Sequence, residues 1–212
     1  MPTKTVTLMD FSCFYYLEGK ATRGEAVLNV NFHKDFTAVH RGETTIQENL
    51  PCTVFLGKRF YDFLIPGGPH PHIVSERIIR ILLENDITGW KATPVRIVDH
   101  DELKYYVLMI TGRCSGLDLR SGERITVMFP AGRDGKPSPD AKPTPARKGW
   151  KFDLNSWDGS DIFLSEGQYI FVTKRVRDLL VKNKATNIVL ENLNDVILHE
   201  FMFDIFDRKW SS

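Results

Sequence analysis

Apolar residues recur at every second position in several short stretches of the chain, as expected of strands with one buried face. Ala26, Leu28, Val30 and Phe32 show the pattern most clearly. Thr5–Leu8, Cys13–Leu17, Thr53–Leu56 and Phe60–Ile65 add further strands. The last of these is closed by Pro66-Gly67-Gly68-Pro69, which neither a strand nor a helix crosses. The period then lengthens. Ile78, Ile81 and Leu82 share one face of a helix that begins after an N-cap at Ser75 and stops near Asn85–Asp86, with Gly89 supplying a left-handed residue past its end. Thr93–Val98, Tyr105–Thr111 and Arg124–Phe129 return to strand. After them come the strands Ile162–Leu164 and Ile170–Val172, a second helix from about Lys174 to Lys184, and a strand at Val189–Leu193. The segment Pro130–Gly149 carries Pro137, Pro139, Pro143 and Pro145 without hydrophobic periodicity and reads as an exposed loop or linker. The apolar, aromatic end Val196–Trp210 leaves its element type open.

One pattern is longer than any single element. Ile73–Trp90 matches Phe171–Ile188 without a gap at a separation of 98 residues. Val74/Val172, Arg77/Arg175, Leu82/Leu180, Asn85/Asn183 and Thr88/Thr186 are identical, and Ser75/Thr173 are alternative N-caps. Gly89 and Asn187, the two residue types that best tolerate positive φ, close the two segments. Any two capped amphipathic helices share some of these features; a duplicated unit of strand, cap, helix, left-handed turn and strand shares all of them. The duplication predicts an α+β fold of two pseudo-repeated strand-helix-strand units, packed as a two-layer sheet/helix structure. The expected organisation is one domain over 1–212, with units at about 53–129 and 150–197 joined by the Pro-rich loop 130–149.

Composition narrows the class. The 212 residues are 42% hydrophobic and 26% charged, ordinary values for a globular chain with a sizeable core. Lys plus Arg number 28 against 27 Asp plus Glu, which argues against a protein built to coat a phosphate backbone, so direct nucleic-acid binding is not expected. No apolar run reaches the length of a membrane-spanning helix, and Met1-Pro2-Thr3-Lys4 does not open a signal peptide. Cys13, Cys52 and Cys114 are odd in number and widely spaced, which points to thiols in a reducing cytoplasm.

Candidate chemistry is sparse. His70-Pro71-His72 is a cluster without zinc-ligand spacing, and Gly67-Gly68 lacks the Lys-Ser/Thr ending of a phosphate loop, so no metal or cofactor is expected. Cys114 in Thr111-Gly112-Arg113-Cys114-Ser115-Gly116 stands at a strand end, where either a nucleophile or a structural thiol fits. Asp158 and Asp161 in Trp157-Asp158-Gly159-Ser160-Asp161 have the spacing of a cation turn, or of one that hydrogen-bonds its own backbone. At the C-terminal end, Phe201, Phe203, Ile205, Phe206 and Trp210 interleave with Glu200, Asp204 and Asp207, and aromatic anchors ringed by charge are what protein interfaces use.

The segments Val74-Ser75-Glu76-Arg77 through Ile87-Thr88-Gly89-Trp90, Thr111-Gly112-Arg113-Cys114, Trp157-Asp158-Gly159-Ser160-Asp161-Ile162-Phe163 and Phe171-Val172-Thr173-Lys174-Arg175-Val176 together resemble the Myxococcus-type immunity proteins of bacterial polymorphic toxin systems. The resemblance covers roughly Thr53 to Leu193. Lys174 stands where that family has an acid, and Asn187 where it has glycine. It marks Trp157, Asp158, Gly159, Asp161 and Phe163 as a structural motif and carries over no catalytic residue. It implies stoichiometric inhibition of a cognate protein toxin, a secreted nuclease or similar effector. Asp204, Phe206, Asp207 and Trp210 are then the candidate partner contacts, the acids steering a basic toxin surface. Two rivals stand beside this expectation: an enzyme or small-molecule-binding domain with a cleft around Arg113, Cys114 and Asp161, and a structural adaptor.

Overall fold

The computed structural model describes residues 10–20, 22–30, 35–64, 72–131, 137–166 and 169–203. The strand expected at Thr5–Leu8 and the candidate contacts Asp204, Phe206, Asp207 and Trp210 lie outside the described residues. In order the elements are β1 (Phe14–Gly19), β2 (Val27–Val30), α1 (Phe36–His40), β3 (Leu50–Leu56), β4 (Phe63–Leu64), β5 (Ile73–Ser75), α2 (Glu76–Glu84), β6 (Trp90–Ile97) and β7 (Lys104–Ile110). They continue with β8 (Gly112–Arg113), β9 (Glu123–Ala131), β10 (Pro137–Lys148), β11 (Ile162–Leu164), β12 (Ile170–Thr173), α3 (Lys174–Lys182), β13 (Ile188–Asn192) and β14 (Ile197–His199).

This is a mostly β protein, not the two-layer α+β fold the periodicity predicts. Its strands form three sheets, ordered β13-β1-β12-β11-β8, β2-β3-β6-β7-β5-β4 and β14-β10-β9. The expectation fails because it gives each sheet only one buried face. In β7, Tyr105, Val107 and Met109 enter one core while Leu108 and Ile110 enter another. In β12, Ile170 and Val172 face the central core and Phe171 the aromatic one. A sheet buried on both faces needs a layer on each side. Here α2 and α3 fill only the central layer, between the two large sheets. One outer layer is built by α1, β2 and β3, and the other by loop residues such as Trp150, Phe152 and Leu193.

The duplication itself is present. β6-β7-β5-β4 and β13-β1-β12-β11 have the same order, and every adjacent pair within each set is antiparallel. The registers agree as well: Ser75 faces Tyr105 as Thr173 faces Phe14, and Trp90 faces Ile110 as Ile188 faces Gly19. The second unit is completed by β1, which precedes the first unit in the chain. Tyr105-Tyr106-Val107-Leu108 thus corresponds to Phe14-Tyr15-Tyr16-Leu17.

The unequal pair Gly89 and Asn187 follows from this symmetry. Both have positive φ, +87° and +66°. A Cβ on Gly89 would stand 1.9 Å from the Ile162 carbonyl oxygen. In the other half the equivalent carbonyl, that of Phe63, accepts a 2.8 Å hydrogen bond from the Asn187 side chain. Asparagine is therefore admitted where its amide meets the group that glycine must make room for.

Each helix lays an apolar stripe on the shared central core: Ile78, Ile81 and Leu82 from α2, and Val176 and Leu180 from α3. Truncating either leucine leaves a void that the flanking sheets cannot close, so Leu82→Ala and Leu180→Ala should each cost about 2–5 kcal/mol. Urea denaturation measures this; a loss below about 1 kcal/mol for either variant would contradict the packing.

Candidate functional site

Residues repeated between the two matching segments converge on two equivalent clasps between the halves. Asp62 precedes β4 and Asp161 precedes β11. The Asp62 carboxylate accepts hydrogen bonds from the Arg77 guanidinium, from the Ser75 hydroxyl at 2.8 Å, and from the backbone N–H and hydroxyl of Thr186 at 2.9 and 2.8 Å. The Asp161 carboxylate accepts from Arg175 at 3.2 Å, from Thr173 at 3.2 Å, and from the N–H and hydroxyl of Thr88 at 3.1 and 3.2 Å. Each aspartate thus takes its arginine from its own unit and its threonine from the other. The arginines cross as well: Arg77 donates to the Asn183 carbonyl and Arg175 to the Asn85 carbonyl, each at the end of the opposite helix. Ser75 and Thr173 occupy the expected N-cap positions, but neither side chain caps its helix; both hydroxyls are spent on the aspartates.

Asp62 is pulled in two directions. Burial pushes its carboxyl up, and the hydrogen bonds from Arg77, Thr186 and Ser75 outweigh burial, so the net shift is below the ordinary 3.8. The clasp therefore runs on the ionised form.

The remaining motif residues are structural in the same sense. The Asp158 carboxylate accepts from the N–H groups of Ser160 and Arg113 at 3.0 and 2.9 Å, holding the turn at Gly159, whose φ is +85°. The Trp157 indole donates to the Ser160 carbonyl at 3.0 Å, and its ring meets Phe14 and Phe163 in the aromatic core. Of the two roles open to the acids of this turn, the geometry selects hydrogen bonding.

Arg113, Cys114 and Asp161 each have partners of their own. The Arg113 guanidinium caps the carbonyls of Ile110, Gly112 and Arg41. Cys114 is buried in the aromatic core, where burial first, and then the charges of Asp158 and Glu166, push its thiol up to about 12. Burial in apolar surroundings favours the protonated thiol over the thiolate that nucleophilic attack needs. Asp161 belongs to its clasp. His72 is partly buried, and its pKa is pushed down to about 4 by desolvation and by His40, while His70 lies outside the described residues. Among the described residues no group of three His, Cys, Asp or Glu is arranged to hold a metal ion.

The surface feature that stands out is one the sequence reading places in a loop. Residues 137–148 of the proline-rich segment form β10, paired along β9 from Lys142/Phe129 to Lys148/Glu123. β14 adds a third strand only at the root, opposite Ala146, Arg147 and Lys148, so the outer part is a two-stranded ribbon. Solvent on both faces removes any need for alternating apolar residues, and this is why the strand was unreadable. Pro143 and Pro145 sit at alternate positions. Their missing donors can therefore fall on the edge away from β9, where proline is tolerated and blocks a further strand.

On the ribbon Phe129 is 39% exposed and Phe201, just beyond β14, is 49% exposed. The Phe129 ring lies 4.5 Å from His199 and 5.2 Å from Phe201, and His199 stacks on Phe201 at 5.2 Å. The Thr144 hydroxyl, 3.1 Å from Nδ1 of His199, fixes the imidazole beneath. Of the described aromatic residues in the end singled out from sequence, Phe201 joins this surface and Phe203 is buried in the aromatic core.

No family model matches the chain, and no curated protein matches it. Among the described residues no helix is long and apolar enough to cross a membrane.

The clasp yields a pH prediction. The folded pKa of Asp62 lies below its unfolded value, so its contribution is complete above about pH 4 and is lost as pH falls through the folded value. Asp62→Ala should cost about 2–3 kcal/mol at pH 7, the low end for a broken buried pair because Arg77 is 41% exposed and screened. Urea midpoints from pH 7 to pH 3 should converge for wild type and variant. A constant gap over that range would show that the carboxylate charge is not what matters.

Proposed function

We propose that this protein is a cytoplasmic immunity protein that binds a cognate bacterial toxin and neutralises it by stoichiometric inhibition. The observation that supports the reading is the solvent-facing cluster of Phe129, His199 and Phe201 on a projecting ribbon. Aromatic rings left in water cost free energy that a partner recovers, and a few such rings carry most of the energy of an interface. The contact surface is then the ribbon, one end of which is anchored in the three-stranded sheet. The clasped double unit is the rigid body that presents it, which explains why the motif residues behind the family resemblance have structural partners.

The test is co-expression with the protein encoded by the neighbouring reading frame, scoring growth and complex formation. Wild type should restore growth and co-purify in a 1:1 complex. The double variant Phe129→Ala/Phe201→Ala should weaken binding by about 2 kcal/mol or more, roughly thirtyfold in Kd, and lose protection. Its urea midpoint should stay close to wild type, because both rings are substantially exposed. Growth restored without a detectable complex would replace inhibition with turnover of a small molecule or a modification.

A further inference from the structure

The ribbon is where the basic charge of the chain collects. Residues 120–148 hold seven Lys and Arg against three Asp and Glu, so the rest of the sequence has more acids than bases. Strand register sorts these residues by face. Arg124, Thr126 and Met128 stand opposite Arg147, Pro145 and Pro143, while Val127 and Phe129 stand opposite Thr144 and Lys142. On the first face an open hollow of about 410 Å³ is lined by Arg124, Thr126, Pro143 and Pro145, with Ile125 at its side. Among the described residues one carboxylate, that of Glu200, serves both Arg147 at 2.8 Å and Arg124 at 3.5 Å. The Arg124 side chain is 68% exposed. On the second face Lys142 flanks the aromatic cluster and makes no ion pair among the described residues.

We infer that the ribbon engages an acidic face of its protein partner, with partner carboxylates meeting Lys142 beside the Phe129/Phe201 anchor on one face and Arg124 on the other. This rests on the immunity reading and specifies the chemistry of the other side. A guanidinium reads a carboxylate through two parallel N–H donors, and a prolyl surface beside it gives the neighbouring carbon atoms a dry contact. The aromatic rings favour a protein, since they sit among Thr144, Val127 and Ile125 and not along a continuous basic groove. An acidic contact face also sets where inhibition occurs. If the toxin cuts nucleic acid, the ribbon docks outside its phosphate-binding cleft, because that cleft must itself be basic.

The measurement is association kinetics between the purified protein and the protein of the neighbouring reading frame, at 50 and 300 mM NaCl. A 20-base-pair DNA duplex serves as a second probe. For wild type, association should slow by about tenfold or more between the two salts, with a smaller change in dissociation. Lys142→Glu should slow association at 50 mM NaCl by about tenfold, and Arg124→Gln should do so by a smaller factor. Lys142 is exposed and unpaired among the described residues, so this variant tests charge without disturbing the fold. A complex that forms at the same rate at both salts and in both variants overturns the acidic-face inference and leaves the immunity reading standing. Failure of wild type to form any complex overturns both. Tight, salt-dependent binding to the duplex that the neighbouring protein does not displace assigns the ribbon to phosphate and overturns the inference as well.

Discussion

Asp62, which is buried, and Asp161, which is partly buried, each sit in one half of the molecule and complete their hydrogen bonding in the other. A carboxylate taken out of water needs several donors, and neither unit supplies enough by itself. Within its own unit Asp62 finds Arg77 and Ser75; the two donors of Thr186 come from the far half. The other half repeats this with the roles reversed. The central core, with α2 and α3 between two sheets, is closed along its polar margin by these crossings. The helix starts follow from this: the Ser75 and Thr173 hydroxyls keep the two carboxylates supplied and leave the helices without side-chain caps.

Much of the internal repeat could be read from residues alone. The identities Arg77/Arg175 and Thr88/Thr186 were visible at constant spacing because every residue between them belongs to one uninterrupted strand-helix-turn. Their purpose was not visible, since the aspartates they serve lie beyond loops of unequal length. By register Phe63 corresponds to Ile162, a separation of 99 and not 98. The correspondence between β1 and β7 was hidden for another reason: β1 comes before the first unit, and a repeat search assumes a common order along the chain. Fold class failed where burial on both faces makes strands read as continuous apolar runs, as in Tyr105–Ile110.

The candidate site was illegible for the opposite reason. A ribbon wet on both sides imposes no hydrophobic pattern, and four prolines suggest a linker to any reading based on propensity. Phe129 and Phe201 come together only through pairing of β10 with both β9 and β14. The aromatic end of the chain was a partial signal: it located Phe201 but not its companions. Scaffold and surface thus obey different rules, the first governed by buried donors and acceptors, the second by what a partner must find exposed.

The position of β1 has a consequence for how the molecule is made. Within the first unit, Ser75 pairs with Tyr105 across about 30 residues, whereas Thr173 of the second pairs with Phe14 across about 160. The longer closure costs about 1.5 kcal/mol more in loop entropy, a small thermodynamic difference but a large one in order of events. On the ribosome, every strand of the first unit has emerged once β7 is complete. The first strand of the second unit emerges before all of them and finds its partners only once β12 and β13 have been made. Until then Asp62 lacks the donors of Thr186, so the half that is synthesised first stays incomplete until the second arrives to lock it.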